Sequence, residues 1–277
     1  MQHIVIHLKD RFPILGEGGK DPVLTTYLPY NMPEMSRQDQ KRPTILLCPG
    51  GGYHMVSQRE AEPIAVHFLP EGFNVFILTY SVEPHRFPAQ LREVAAAMEL
   101  IYENADMWNV DTGRIAIMGF SAGGHLAAHY STSYDCPEVR EVFPESKGVQ
   151  ASILCYPVIN AAEEYCHKGS FQNLTGHLYP LSEEELRKFS CDALVTEKTP
   201  PAFLWHTSAD GAVPVANSLL YAQALAKHKV PFGLHIYPAG KHGLSTVDEQ
   251  TNGELAPEVR TAKAWLPALM QWLKDML

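Results

Sequence analysis

Arg114-Ile-Ala-Ile-Met-Gly-Phe-Ser-Ala-Gly-Gly124 changes character at its middle. The apolar run Ile115–Met118 gives way to Gly119-Phe-Ser-Ala-Gly123, and the helix-compatible Leu126-Ala-Ala128 follows. A G-x-S-x-G pattern between a strand and a helix is the setting in which a serine is held on a sharp, strained turn with its hydroxyl exposed. The neighbours of such a serine must be small, and Gly119 and Gly123 meet that demand by letting strand and helix approach closely. The alternative for the same stretch is a glycine-rich strand-to-helix turn with an ordinary serine.

Outward from this turn, apolar runs alternate with helical patterns. Ile4–Leu8 and Val23–Leu28 read as two early strands, antiparallel at a sheet edge, and Asn31 to Lys41 reads as polar linker. Thr44–Cys48 and Asn74–Thr79 read as buried strands, separated by a helix from Glu62 to Leu69 with Pro63 in its first turn. Leu91, Val94, Ala95, Met98, Ile101 and Tyr102 recur at helical spacing and predict an amphipathic helix. Ala151–Cys155, Phe203–His206 and Leu234–Tyr237 read as further strands, with an Ala- and Leu-rich helix from Asn217 to Lys227. The end, Val259 to Leu277, is helical in pattern, and Pro267 predicts a kink or a restart. This alternation predicts a mostly parallel, doubly wound α/β sheet with helices on both faces, right-handed crossovers and a ligand site at the carboxyl ends of the strands. Residues from about 160 to 199 break the alternation, with Ser182-Glu-Glu-Glu185 resembling a capping box. They predict a small cap insertion on an otherwise single domain spanning 1–277.

The bulk numbers narrow the class. The chain has 277 residues, 45% of them hydrophobic, which suffices for a substantial core. The formal net charge of −9 and the lack of any Lys/Arg run argue against a nucleic-acid or anionic-membrane surface. The five cysteines, Cys48, Cys136, Cys155, Cys166 and Cys191, include no C-x-x-C pair, so neither a disulfide framework nor a zinc site is expected. The N-terminal residues are too polar for a signal peptide, and no apolar run reaches the roughly 18 residues of a membrane helix. The expectation is a cytoplasmic protein without metal or organic cofactor; self-association is left open.

A serine hydroxyl needs a base to become a nucleophile, and the base needs an orienting acid. Trp205-His-Thr-Ser-Ala-Asp-Gly211 places Asp210 just past one strand, and Pro238-Ala-Gly-Lys-His-Gly243 places His242 just past the last. Ser121, Asp210 and His242 therefore fall on one face of the sheet, in the order Ser…Asp…His. Among 13 histidines the rivals are His206 and His125, both read as packed structural residues; Asp192 and Asp248 are weaker acids with no strand before them. Acyl transfer also needs donors for the developing oxyanion. Gly50-Gly-Gly52 after the Thr44–Cys48 strand, and Ala122 just after the serine, are positioned for that. A phosphate loop would require a following Gly-Lys-Ser/Thr, which is lacking.

With these residues in place, the chain resembles the α/β-hydrolases of the esterase/lipase type, in particular the bacterial acetyl esterase and acetylxylan-esterase-like proteins. Cys48-Pro-Gly-Gly-Gly-Tyr53, Phe87-Pro-Ala-Gln-Leu-Arg-Glu-Val94, Gly119–Gly124, Asp210-Gly-Ala-Val-Pro214 and His242-Gly243 carry the resemblance. It implies a serine carboxylesterase acting on short-acyl, chiefly acetyl, esters of carbohydrates or xylan-derived oligosaccharides. Gly51, Gly52 and Ala122 are the expected oxyanion donors. Tyr53 and His54 are candidates to line the substrate pocket, unless Tyr53 simply packs beneath the loop. Where lipase-type relatives carry His-Gly-Gly-Gly, this chain has Pro49, which stiffens the loop but cannot order it by a side-chain hydrogen bond. That departure points away from lipid esters. An amidase, formamidase or peptidase on the same scaffold is the main alternative; a binding protein on a hydrolase scaffold is the remote one.

Overall fold

A computed structural model describes residues 1–16 and 21–277. Its eight strands are β1 (Val5–His7), β2 (Val23–Tyr27), β3 (Arg42–Cys48), β4 (Asn74–Thr79), β5 (Val110–Phe120), β6 (Ala151–Cys155), β7 (Ala202–Thr207) and β8 (Phe232–Tyr237). They form one sheet in the order β1-β2-β4-β3-β5-β6-β7-β8. The β1–β2 and β2–β4 pairs are antiparallel and all later pairs are parallel. This is the α/β-hydrolase fold. The chain leaves β3 toward β4 on one side and enters β5 on the other, so the topological switch point lies between β3 and β5. A crevice at the carboxyl ends of these strands is where such sheets bind ligands.

The pleat divides the core. Leu46, Ile115, Ile117, Leu154 and Leu204 face the helices Ala89–Glu103, Ser121–Ser133 and Ala216–Lys227. Their neighbours Ile45, Leu47, Ala116, Met118, Ile153 and Phe203 face the helices Glu62–Phe68 and Trp265–Met276. Both faces are covered, so the central strands read as continuous apolar runs rather than alternating ones. On the second face the rings of Trp205 and Trp265 stack with centroids 5.0 Å apart.

Two elements differ from the expectation, and a third settles an alternative that the sequence left open. The first strand ends at His7, because Leu8 turns into the core and opens the short helix Leu8–Arg11. Strand β5 begins at Val110, well before the apolar run. Its early residues Asp111–Gly113 are polar and solvent-facing, yet Val110 still pairs with Arg42 across a register shift. The C-terminal segment restarts rather than kinks. A 3₁₀ helix, Pro257–Ala264, passes into the α-helix Trp265–Met276, and Pro267 sits in the first turn where its missing N–H breaks no bond.

Between β6 and β7 lie the helices Lys168–Thr175 and Glu183–Phe189 and the 3₁₀ turn Cys191–Leu194. Ser182 caps the second helix in a reciprocal capping box with Glu185. No helix among the described residues is long and apolar enough to cross a membrane.

Candidate active site

Ser121 sits at the β5-to-helix turn with φ of 53°, the left-handed region in which a non-glycine residue is strained. The turn is tight because the residues two positions to either side, Gly119 and Gly123, lack side chains. A Cβ on Gly119 would lie 2.0 Å from Gly123 O, and one on Gly123 would lie 2.2 Å from Cys48 O. The Ser121 carbonyl accepts the Val158 N–H at 3.1 Å, which ties the turn to the segment after β6.

His242 Nε2 lies 2.7 Å from Ser121 Oγ, and His242 Nδ1 lies 2.6 Å from Asp210 Oδ2. A carboxylate only accepts, so Nδ1 carries the proton and Nε2 presents its lone pair to the serine hydroxyl. Asp210 is held by its second oxygen, which accepts the N–H groups of Ala212 and Val213, each at 2.9 Å. His206 Nε2 stands 3.3 Å from Asp210 Oδ2. Burial alone would raise the Asp210 pKa; hydrogen bonds from His206 and His242, the charge on His242 and the Val213 N–H outweigh it and hold the carboxyl well below its usual range. The acid thus stays ionised, as an orienting group must.

The glycine loop after β3 is anchored on both sides. Gly51 has φ of 126°, and a Cβ there would fall 2.1 Å from Met55 O, so the position admits only glycine. Gly50 N–H donates to Glu60 Oε2 at 2.9 Å, while Gly51 and Gly52 N–H have no protein acceptor among the described residues. Ala122 N–H belongs to the first turn of its helix, where backbone donors lack intrahelical partners. Pro49 is compensated from outside the loop, because its carbonyl accepts Tyr80 Oη–H at 2.6 Å.

Sequence reading missed Glu60. Its carboxylate is buried beneath the loop and also accepts Tyr156 Oη–H at 2.7 Å; the Tyr156 oxygen in turn accepts Ser245 N–H at 2.9 Å. One side chain thereby links the glycine loop, the end of β6 and the segment that carries His242. Burial raises the Glu60 pKa, against the Tyr156 and Gly50 hydrogen bonds, which favour the ionised form. No motif spacing marks this residue, since its two partners, Gly50 and Tyr156, come from separate segments.

These groups open onto a cavity of about 570 Å³, lined by Gly51, Gly52, Ser121 and His242 together with His54, Arg59, His167 and Asn173. His167 and Asn173 come from the insertion, and Asn173 Nδ2–H donates to Gly52 O at 2.9 Å. Tyr53 does not line the cavity. Its ring is buried under the loop with its hydroxyl 2.8 Å from His125 Nδ1, so it supports the glycine loop from below. His54 is exposed at the rim, its Nδ1 in contact with the Glu83 carboxylate.

The rival residues are accounted for by packing. His125 donates from Nε2 to Phe189 O at 2.9 Å, and burial lowers its pKa to about 4. His206 is buried, bonded to Ser218 Oγ and to Val213 O. Asp192 accepts from Asn160, and Asp248 caps the helix Glu249–Asn252. Among the described residues no three His, Cys, Asp or Glu side chains cluster to hold a metal.

A sheet with this switch point, an elbow serine, an acid and a histidine after successive strands defines the serine-hydrolase type of α/β-hydrolase. The BD-FAE family model matches residues 30–225, and the chain belongs to that family. It is 38% identical over 235 residues to endo-1,4-beta-xylanase B of Butyrivibrio fibrisolvens, covering 81% of this chain and 36% of that one. Acetylxylan esterase of Xylanibacter ruminicola is 33% identical over 202 residues, covering 72% of this chain and 40% of that protein. The chain therefore spans well under half the length of these relatives. Among solved structures, the acetyl ester-xyloside bifunctional hydrolase from Caldicellulosiruptor lactoaceticus superposes with a TM-score of 0.83 at 34% identity, covering 98% of this chain and 96% of that one.

Proposed function

We propose that this protein is a serine carboxylesterase that removes short acyl groups, chiefly acetyl, from carbohydrates such as xylan-derived oligosaccharides. The observation that carries the reading is the unbroken chain Asp210–His242–Ser121, with contacts of 2.6 and 2.7 Å, at the mouth of the cavity. The acetyl and sugar halves of the reading are supported by relatives whose names specify acetylxylan and acetyl ester-xyloside substrates.

Ser121 Oγ attacks the ester carbonyl while His242 Nε2 takes its proton. The carbonyl oxygen gains negative charge and turns toward the Gly51, Gly52 and Ala122 N–H groups, each such donor contributing roughly two to three orders of magnitude in rate. Collapse breaks the bond to the alcohol, which receives the proton from His242 Nε2. Water, deprotonated by the same nitrogen, then attacks the acyl-enzyme carbonyl; collapse breaks the bond to Ser121 Oγ, which takes the proton back from His242 Nε2 as the carboxylic acid leaves. Asp210 keeps the histidine in the required tautomer throughout. In this reading residues 160–199 form a small cap whose first helix walls the cavity. The companion proposal of a cytoplasmic location is supported by the five unpaired cysteines.

The test is acetate release from acetylated xylo-oligosaccharides, alongside acetyl and octanoyl p-nitrophenyl esters. The expected outcome is release by the wild type, acetyl rates far above octanoyl rates, and a loss of about 10⁵-fold or more in kcat for Ser121→Ala. Octanoyl turnover equal to acetyl, or wild-type activity in Ser121→Ala, overturns the reading. Hydrolysis of formyl amides without acetate release replaces it with the amidase alternative.

A further inference from the structure

The insertion brings to the cavity a histidine that no motif marks. His167 immediately precedes the helix Lys168–Thr175 and caps it, its Nδ1 accepting the Ser170 backbone N–H at 3.2 Å. Ser170 Oγ lies 2.9 Å from the same nitrogen. A backbone amide only donates, so Nδ1 presents a lone pair and the ring is the neutral tautomer protonated at Nε2. Burial, reinforced by the charge of His242 and opposed by Asp210, lowers the His167 pKa and keeps it neutral. The Cε1 edge of the ring faces the glycine loop, 4.0 Å from where a Gly52 Cβ would stand. Nε2–H has no protein acceptor among the described residues, and the ring lines the cavity that holds Ser121.

We propose that His167 Nε2–H donates a hydrogen bond to a hydroxyl or ring oxygen of the sugar, which makes His167 a specificity-determining residue for the alcohol half of the substrate. An acetyl ester offers two oxygens of its own. The carbonyl oxygen goes to the oxyanion donors, and the ester oxygen receives its proton from His242. A further neutral donor at the cavity wall is therefore left to the oxygens of the alcohol, of which a sugar has several. A site built to hydrogen-bond an oxygen rejects analogues that lack it, because its own polar group is then left unpaired. The proposal rests on the esterase reading above.

The cap and the donor can be separated by substitution. Serine is a good N-cap but too short to reach the cavity, so His167→Ser keeps the helix start and removes the donor; His167→Ala removes both. The measurement is kcat/KM for monoacetylated xylobiose and for p-nitrophenyl acetate, whose alcohol carries no sugar oxygens. The expected result for His167→Ser is a fall of about tenfold or more on acetyl-xylobiose, mainly through KM, with p-nitrophenyl acetate within about threefold of wild type. Equal falls on both substrates assign His167 to the helix cap alone and overturn the proposal, as does no fall on either. If the wild type cleaves p-nitrophenyl acetate but no acetylated sugar, the carbohydrate reading itself is overturned, and the proposal with it.

Discussion

Asp210 shows how much of the proposed catalysis depends on which atom carries a proton. Its Oδ1 is occupied by two backbone N–H groups, so only Oδ2 faces His242. In Asp210→Asn the backbone donors keep the amide oxygen, and the amide N–H₂ turns toward Nδ1. The histidine then switches tautomer and presents Nε2–H to Ser121, which it can no longer deprotonate. The expected outcome is a drop of about 10⁴-fold in kcat on p-nitrophenyl acetate with unchanged circular dichroism; a drop below tenfold would sink the assignment of Asp210. His206 illustrates a limit of reading residues one at a time. Its place at a strand end suggested packing, and it does pack, yet its Nε2 also stands 3.3 Å from the same carboxylate. Tyr53 adjoins the glycines in sequence, and its positive φ of 56° turns it beneath the loop rather than into the cavity.

The strand–turn–helix unit around Ser121 is governed by close approach. Gly119→Ala places a methyl group 2.0 Å from Gly123 O, and neither strand nor helix can retreat without opening the sheet. Destabilisation of more than about 4 kcal/mol is expected, read from the urea midpoint, or a failure to accumulate folded protein. Gly211→Ala is the control, because nothing lies within 4 Å of its added carbon; it should shift stability by less than about 0.5 kcal/mol. A Gly119→Ala midpoint equal to that of the control would contradict the close-approach account. Most elements were legible because their apolar periodicity continues over the buried length. The early part of β5 was not, since Asp111–Gly113 lack apolar periodicity and lie in the register shift between the Val110 and Ile115 pairs. Glu60 and Asn173 were missed for a related reason: each acts by bonding a loop brought near by folding.

Across the whole molecule the buried carboxylates set the pH response, and two of them pull in opposite directions. Glu93 is buried on the helix Ala89–Glu103 and accepts Ser81 N–H at 2.7 Å. Burial raises its pKa from 4.5 to about 7, partly offset by the Ser81 hydrogen bonds and Lys9. The folded state therefore binds this proton more tightly than the unfolded chain. Its stabilising contribution is full below pH 4.5 and is lost as pH rises through about 7, in total roughly 3 kcal/mol. Asp210 has the reverse sign: its contribution is present above 3.8 and is lost as pH falls toward its depressed folded value. Glu93→Gln keeps an acceptor for Ser81 and removes the titration. It should be more stable than wild type at about pH 8 and no more stable near pH 4.5, as read by urea unfolding at both. A pH-independent difference would contradict the burial of a titrating Glu93.

The order of strands and helices, the elbow at Ser121, the acid and base after later strands and the glycine loop after β3 are all consequences of local chemistry. Periodicity marks what is buried, small residues mark close approach, and strand ends place side chains on the ligand-binding face. Tertiary structure alone decided what surrounds them. Glu60 under the loop, Tyr80 donating to the Pro49 carbonyl and Asn173 donating to the Gly52 carbonyl are pairings between segments brought together by folding, and His167 reaches the cavity wall only through the packing of the insertion. Hydrogen bonds of this kind leave no period or spacing behind, because their geometry exists only once the sheet and the insertion have packed.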